Sequence, residues 1–120
     1  MTRLLSLWGP VAAGMALIFA GSAQSEVGVV GRIPDWMTHG AEYAALAVLV
    51  SRALAGGLLL PLSRGGMIAT VVLCTTYGVS DEYHQSFVPR RDASAADVAK
   101  DCGGAVAGIW VQRLLARRRP

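Results

Sequence analysis

Residues 77–101 read YGVSDEYHQSFVPRRDASAADVAKD, and this polar stretch interrupts a chain that is otherwise strongly apolar. It holds five of the eight acidic residues, one of the two histidines, a proline and two adjacent arginines. The segments on both sides have the composition of membrane-spanning sequence. Ionisable groups are costly at membrane depth, so a dense group of them is a functional hypothesis by default.

Composition indicates a small membrane protein. The 120 residues allow one domain, 53% of them are hydrophobic, and the mean hydropathy is +0.45. Only 16% are charged, against roughly 25% in a soluble domain. The net charge of +3 does not indicate a nucleic-acid partner, because the basic residues lie between apolar runs and form no polar face. Cys74 and Cys102 lie in apolar stretches without metal-ligand spacing, which indicates small buried side chains.

Start and stop signals divide the chain into four helices. Pro34-Asp35 marks a helix start with Asp35 as the expected N-cap, and Gly56-Gly57 marks a stop. Pro89 prevents the third helix from continuing, and Ser94 is the expected N-cap of the fourth. We expect one domain over residues 1–120, with helices over about 4–20, 36–55, 67–87 and 95–116.

The first segment has about the length that a spanning helix needs, and it carries no charge after Arg3. A cleaved signal peptide is the alternative, with Gly21-Ser22-Ala23 as its small-residue cleavage site. The third and fourth helices are apolar over only part of their length, so their polar ends must face each other or a wet cavity if they span. The expected fold is an all-α, integral membrane four-helix bundle with short loops.

The charges also predict an orientation. With a cytoplasmic N-terminus and four spans, seven of the eleven basic residues lie inside, as the positive-inside rule requires. All eight carboxylates and both histidines then lie on the outer side. We therefore expect a multi-pass protein of the bacterial cytoplasmic (inner) membrane, with both termini cytoplasmic and a polar pocket at the outer end.

Residues three or four apart share a helix face, so the polar residues form one stripe on each of three helices, and these stripes can converge on that pocket. A compensating cation is expected there, since Asp81 and Glu82 are adjacent like charges near the negative end of a helix dipole. Arg90 and Arg91, a divalent metal or a protonated histidine can supply the charge. The stripes are His39, Glu42 and Tyr43 on helix two, Tyr77, Asp81, His84 and Gln85 with the nearby Glu82 on helix three, and Asp97, Asp101, Gly104 and Gly108 on helix four.

Such an assembly can bind a metal through histidine and carboxylate ligands, act as an acid/base pair or bind an anionic head group. The sequence leaves open whether the protein is an enzyme. The candidate residues are His39, Glu42, Asp81, Glu82, His84 and Gln85 for catalysis, Arg90, Arg91, Asp97 and Asp101 for ligand binding, and His39, Glu82 and His84 for a metal.

Purely structural roles stay open for the same residues. Ser94-x-x-Asp97 fits a capping box, so Asp97 can serve only to start helix four. His39 can pair with Glu42, and the cluster over residues 81–85 can be a polar network that joins the helices. The arginine pair with Asp92 can be a solvated turn.

Two motifs and a set of single positions stand out over the range from Ile33 to Gly108. They are Pro34-Asp35-x-x-x-His39-x-x-Glu42-Tyr43-Ala44-x-Leu46, then Asp81-Glu82-Tyr83-His84-Gln85-Ser86-Phe87-Val88-Pro89-x-Arg91, and then Ser94, Asp97-Val98, Asp101, Gly104 and Gly108. In this order and separation they resemble the motifs of the VanZ-like family. The resemblance implies a small bacterial integral membrane protein of about four helices, in a family associated with teicoplanin resistance.

Three positions depart from the pattern of that family. Trp36 stands where lysine is frequent, which removes a cation from the rim of the pocket. Arg90 replaces the usual glycine, so the loop carries two arginines. Asp101 stands where many relatives have asparagine, and the added carboxylate strengthens the case for a bound cation.

The preferred hypothesis is an envelope-directed protein that binds or modifies an anionic cell-wall or lipid-linked ligand and so alters glycopeptide (teicoplanin-type) susceptibility. A non-enzymatic membrane scaffold or partner subunit is the alternative. A small proton-coupled transporter ranks third, because the inner halves of helices two to four are apolar and no inverted repeat is visible. The expected partners are the lipid bilayer, the anionic ligand and other membrane proteins.

Overall fold

A computed structural model describes residues 1–23, 33–89 and 92–118. Those residues form four α-helices and no strand, so the expected all-α, four-helix fold is confirmed for the described part of the chain. Each helix has 21 to 23 residues and is therefore roughly 32–35 Å long. The helices are α1 (Thr2–Ser22), α2 (Asp35–Ala55), α3 (Arg64–Gln85) and α4 (Ala95–Arg117).

The end of α2 and the start of α4 lie where the sequence predicted them. Gly56 ends α2 in the left-handed region, with a φ of 83°, which glycine adopts without the steric cost of a Cβ. Ser94 caps α4, because its hydroxyl oxygen accepts a hydrogen bond of 3.3 Å from the backbone N–H of Asp97.

Two helix starts differ from the expectation. α2 begins at Asp35 itself, so its N-cap is Pro34 and the expected cap at Asp35 is wrong. α3 begins at Arg64 instead of Met67, because the Ser63 hydroxyl accepts a hydrogen bond from the backbone N–H of Gly66 and caps an earlier turn.

The helices run alternately up and down, and the charges collect at the two ends of the bundle. At one end, named here the acidic end, hydrogen bonds join Ser22 to Asp81 and His39 to Asp101. At the opposite end, named here the basic end, the Arg52 guanidinium donates to the Ser6 carbonyl and Gln112 donates to the Leu60 carbonyl. Hydrogen bonds thus join α1 to α3 and α2 to α4 at the acidic end, and α1 to α2 and α4 to the α2–α3 connection at the basic end.

The contact between α2 and α4 is the most extensive in the bundle. A Cβ at Gly104 would lie 2.5 Å from the carbonyl oxygen of Gly40. One at Gly108 would lie 2.8 Å from the Ala47 Cβ and closer still to the Ala44 carbonyl oxygen. The close helix approach expected of Gly104-x-x-x-Gly108 is thus confirmed, and α2 is the neighbour.

Among the described helices, α1 alone is long and apolar enough to cross a membrane by length and composition, with a mean hydropathy of 1.7. A signal sequence near an N-terminus satisfies the same criterion. α1 nevertheless belongs to the bundle, since Val11 and Ile18 are buried in the core and the Tyr77 hydroxyl donates to the Met15 carbonyl at 2.5 Å.

Candidate functional site

Three ionisable side chains from three helices meet at the acidic end. His39 of α2, Glu82 of α3 and Asp101 of α4 each offer one donor atom, and these atoms lie within 4.8 Å of one another. All three residues are at least nine-tenths buried. The distance between His39 Nδ1 and Asp101 Oδ1 is 2.7 Å, as in a charge-assisted hydrogen bond. We call these residues the three-helix site.

The two carboxylate oxygens of Glu82 differ in their surroundings. Oε2 accepts a 3.0 Å hydrogen bond from the backbone N–H of Ser94, which orients the carboxylate. Oε1 is buried and has no hydrogen-bond partner among the described residues, and the same is true of the hydroxyl of the fully buried Tyr43. Buried polar atoms are nearly always paired. We therefore expect Glu82 Oε1 to have a partner that is a hydrogen-bond donor or a cation.

Asp81 belongs to a second cluster, on the α1 side of α3. Its Oδ1 accepts a 2.5 Å hydrogen bond from the Ser22 hydroxyl, and its Oδ2 accepts one of 3.2 Å from the side-chain amide of Gln85. All three residues are buried. Asp81 and Gln85, expected in one site with Glu82, thus form a link between α1 and α3.

His84 lies on a different face of α3 from Glu82, because residues two apart on a helix do not face each other. Its ring stacks on Phe19 of α1 with 4.1 Å between the ring centroids. The structure therefore brings His39 and Glu82 together with Asp101, and His84 is not in this group of possible metal ligands.

The other candidates have separate positions. Glu42 is exposed although His39 and Tyr43 are buried, since each residue advances the helix by about 100° and Glu42 falls outside the buried stripe. Asp97 is buried, and its Oδ1 accepts a 2.7 Å hydrogen bond from Lys100 Nζ. The Ser94 hydroxyl caps the Asp97 backbone, but the Ser94 N–H donates to Glu82, so only one half of the expected capping box is formed. Arg90 and Arg91 lie outside the described residues, and their role stays a prediction.

Comparison with known proteins identifies the family. A family model described as VanZ/LLP1 matches residues 10–116 of the 120-residue chain. The chain belongs to the VanZ/LLP1 family. The matched range includes all three residues of the three-helix site, and the family resemblance expected from the motifs is confirmed. No curated protein and no solved structure gave a significant match.

Two residues of this VanZ/LLP1 protein contribute to the acidic end without having been assigned to it from the sequence. The Ser22 hydroxyl donates a hydrogen bond to Asp81. The feature of the sequence that could have indicated this is a hydroxyl residue at the end of an apolar helix, on the same side of the predicted membrane as the carboxylates. Gly78 makes room for Asp101, because a Cβ at position 78 would lie 2.8 Å from Asp101 Oδ2. The feature of the sequence that could have indicated this is a glycine one turn before Glu82 on the same helix.

The electrostatics of the three-helix site favour a cation. The site combines two carboxylates with one imidazole, so with both carboxylates ionised these residues carry net negative charge even when His39 is protonated. Removing like charges from water is costly unless a cation or several hydrogen bonds compensate them. An anion cannot approach Glu82 and Asp101 directly without adding to that cost.

A groove of about 440 Å³ runs along the outside of the contact between α2 and α4. Small and apolar side chains line it, and Lys100 is the charged member among its described residues. The lining residues are Trp36, Met37, Gly40, Ala41, Lys100, Gly103, Gly104 and Ala107.

Proposed function

We propose that this VanZ/LLP1 protein is a multi-pass protein of the bacterial cytoplasmic membrane that binds an anionic lipid-linked or cell-wall ligand at its acidic end. The observation that carries the proposal is an inverted distribution of polarity. Carboxylates are buried between the helices, whereas large apolar side chains on all four helices are exposed. Examples of exposed residues are Leu17, Leu54, Ile68, Val72 and Trp110, and the buried carboxylates are Asp81, Glu82, Asp97 and Asp101.

This distribution fits a hydrocarbon environment better than water. Exposed apolar surface of this extent marks a membrane or protein interface, and intramembrane ionisable residues face the interior of a bundle. The estimated helix length of roughly 32–35 Å matches a hydrocarbon core of about 30 Å. Trp36 and Tyr83 are exposed at the acidic end, as expected for aromatic anchors at a membrane interface.

The orientation of the proposal places the acidic end outside and both termini in the cytoplasm. Arg3, Arg52 and Arg113 belong to the basic end, which agrees with the positive-inside rule. The contacts of α1 with the rest of the bundle support its retention as a helix after synthesis. The outer position of the three-helix site makes an envelope ligand its natural target.

The ligand of the proposal is an amphiphile with a phosphate-type head group. The groove beside Lys100 supports a hydrocarbon chain, and the arginine pair at 90–91, known from the sequence alone, supplies positive charge for the head group. Binding of such a ligand alters access to cell-wall precursors, so altered susceptibility to teicoplanin-type glycopeptides is the expected consequence in cells.

A non-enzymatic scaffold is the second candidate, and the buried hydrogen bond from Ser22 to Asp81 favours it because it joins α1 to α3. The scaffold predicts that variants of the acidic end fail only through lost stability or assembly. A proton-coupled transporter has least support, since the fully buried Leu46 and Val50 fill the middle of the bundle.

Cysteine labelling tests the membrane arrangement. In a Cys74→Ala, Cys102→Ala background, Ala93→Cys reports on the acidic end and Leu59→Cys on the basic end, and both positions are exposed. An impermeant maleimide applied to cells whose outer barrier has been removed is expected to label position 93, and position 59 only after the membrane is opened. Equal labelling of both positions from outside would contradict the orientation.

Ligand binding tests the function itself. Purified protein in detergent is titrated with a polyprenyl phosphate and, as a matched control, with the uncharged polyprenol of the same length. We expect saturable binding of the polyprenyl phosphate and no saturable binding of the polyprenol. An Arg90→Gln, Arg91→Gln double variant should bind the polyprenyl phosphate more weakly. Equal binding of both lipids by the wild-type protein would rule out head-group recognition.

In cells, Glu82→Gln should abolish any effect of the protein on teicoplanin susceptibility, whereas Asp92→Asn, at an exposed position, should preserve it.

A further inference from the structure

We propose that His39, Glu82 and Asp101 together bind one divalent metal ion of the Zn²⁺ or Mn²⁺ type. The inference rests on the proposed function, because it assigns the chemistry of the same acidic end. It also resolves a conflict within that function, since two buried carboxylates repel an anionic head group. A dication between the carboxylates and the head group attracts both.

The distances suit a metal ion. Donor atoms bound to one tetrahedral Zn²⁺ at about 2.0–2.2 Å lie about 3.3–3.6 Å apart. The three donors here lie within 4.8 Å of one another, so side-chain shifts of up to about 1 Å bring them to one ion. The 2.7 Å hydrogen bond between His39 Nδ1 and Asp101 Oδ1 is shorter than that separation, so it must open when both atoms bind the ion.

Independent support comes from the unpaired oxygen of Glu82. This residue is 7% exposed, and its Oε1 has no hydrogen-bond partner in the described part of the chain. Its Oε2 is held by the Ser94 amide, in the way that hydrogen bonds orient metal-bound carboxylates in known sites. A carboxylate with one oxygen fixed and the other buried without a donor is suited to bind a cation.

Charge balance favours a dication over a proton or a monovalent ion. Two carboxylates and a neutral imidazole neutralise a charge of +2, which removes most of the cost of burying the carboxylates. Imidazole favours Zn²⁺ and similar ions, and carboxylates also suit Mn²⁺. Three protein ligands leave at least one coordination position for water or a phosphate oxygen. The metal would also join α2, α3 and α4 at one point.

Metal analysis of the purified protein tests the inference. The chain is extracted from membranes in chelator-free detergent, stripped with EDTA, and titrated with Zn²⁺ or Mn²⁺ before elemental analysis. We expect about one ion per chain in the wild type. His39→Gln, Glu82→Gln and Asp101→Asn should each lower the affinity at least about tenfold. Asp97→Asn and His84→Gln are the matched controls, and both should bind metal like the wild type.

Thermal unfolding with and without the metal separates lost binding from lost folding. The wild type and the Asp97→Asn control should melt at a higher temperature when metal is added, because an ion that binds only the folded state stabilises it. At the same metal concentration the Glu82→Gln protein should show a smaller rise in melting temperature, because its affinity for the ion is lower. A wild type that binds neither ion and shows no shift would overturn the inference, and so would unchanged binding in all three ligand variants.

The two proposals fail in different ways. Polyprenyl phosphate that binds equally well to the EDTA-stripped and the metal-loaded wild type would overturn the role of the metal in ligand binding and leave the proposed function intact. Metal that binds with the expected dependence on Glu82 and Asp101, without any phosphate binding, would support the metal site and overturn the proposed ligand.

Discussion

Asp101 of α4 packs against the bare backbone of Gly78 in α3, so closely that a Cβ at position 78 would lie 2.8 Å from Asp101 Oδ2. Gly78→Ala should therefore displace the Asp101 carboxylate from His39 and Glu82. We expect metal affinity to fall at least about tenfold and the free energy of unfolding to fall by about 1–3 kcal/mol. Metal titration and thermal unfolding measure the two effects.

Gly103→Ala is the control for this change, because a Cβ at position 103 would meet no atom within 4 Å. It should bind metal like the wild type and gain about 0.5–1 kcal/mol from the better helix propensity of alanine. Wild-type metal affinity in Gly78→Ala would mean that Asp101 does not need the space beside Gly78.

Gly108 allows the backbones of α2 and α4 to approach closely. A Cβ there would lie 2.8 Å from the Ala47 Cβ and would also meet the Ala44 carbonyl oxygen. A methyl group and a helical carbonyl group cannot rotate away from such a contact. Gly108→Ala should therefore cost about 1–3 kcal/mol of stability through overpacking. Unfolding by a denaturing detergent measures the loss, again beside Gly103→Ala, and similar stability of the two variants would contradict the close packing.

Ser22 joins the end of α1 to α3 through Asp81. Ser22→Ala removes the hydroxyl that donates to Asp81 Oδ1 and leaves a buried carboxylate oxygen without that donor. The expected cost is about 1–3 kcal/mol, measured by thermal unfolding. Ser80→Ala is the control, because the exposed Ser80 hydroxyl donates to the Tyr77 carbonyl within its own helix. Equal effects of both changes would show that the Ser22 contact adds nothing.

Ser94 caps α4 with its hydroxyl and orients Glu82 with its backbone N–H. Ser94→Ala should cost about 0.5–2 kcal/mol through the lost cap, and fraying of this turn should also weaken metal binding through Glu82. Ser94→Asn keeps a capping group and should restore both properties. If the alanine variant loses stability but binds metal normally, the Glu82 bond does not depend on the cap.

The number of helices was predictable because local signals end them. Gly56 and Ser94 act through their own backbone conformation and side chain, and both are visible in the sequence. The start of α3 was missed because Arg64-Gly65-Gly66 resembles a loop. Its helical state depends on the Ser63 cap, a single hydrogen bond that competes with the poor helix propensity of glycine.

The membership of the site was only partly predictable. A helical period assigns a residue to a face of its own helix, but it does not determine which neighbour that face contacts. His39, Glu82 and Asp101 were all candidates, yet the packing of α3 decides that Glu82 meets α4 whereas His84 meets Phe19 of α1. Ser22 and Gly78 contribute only after the chain has folded, and no short motif marks them.

The hydrogen bonds of the acidic end connect parts of the chain that are far apart in sequence. Ser22 and Asp81 are separated by 59 residues, and His39 and Asp101 by 62. A ribosome makes the chain from the N-terminus at a finite rate, so Asp81 and Glu82 emerge before Asp101 and the amide of Ser94. A chain cut short before α4 lacks one member of the three-helix site and one bond to Glu82. The site therefore cannot be complete until the first turns of α4 have been made, whereas the contact of Gln112 at the basic end needs the later turns of the same helix.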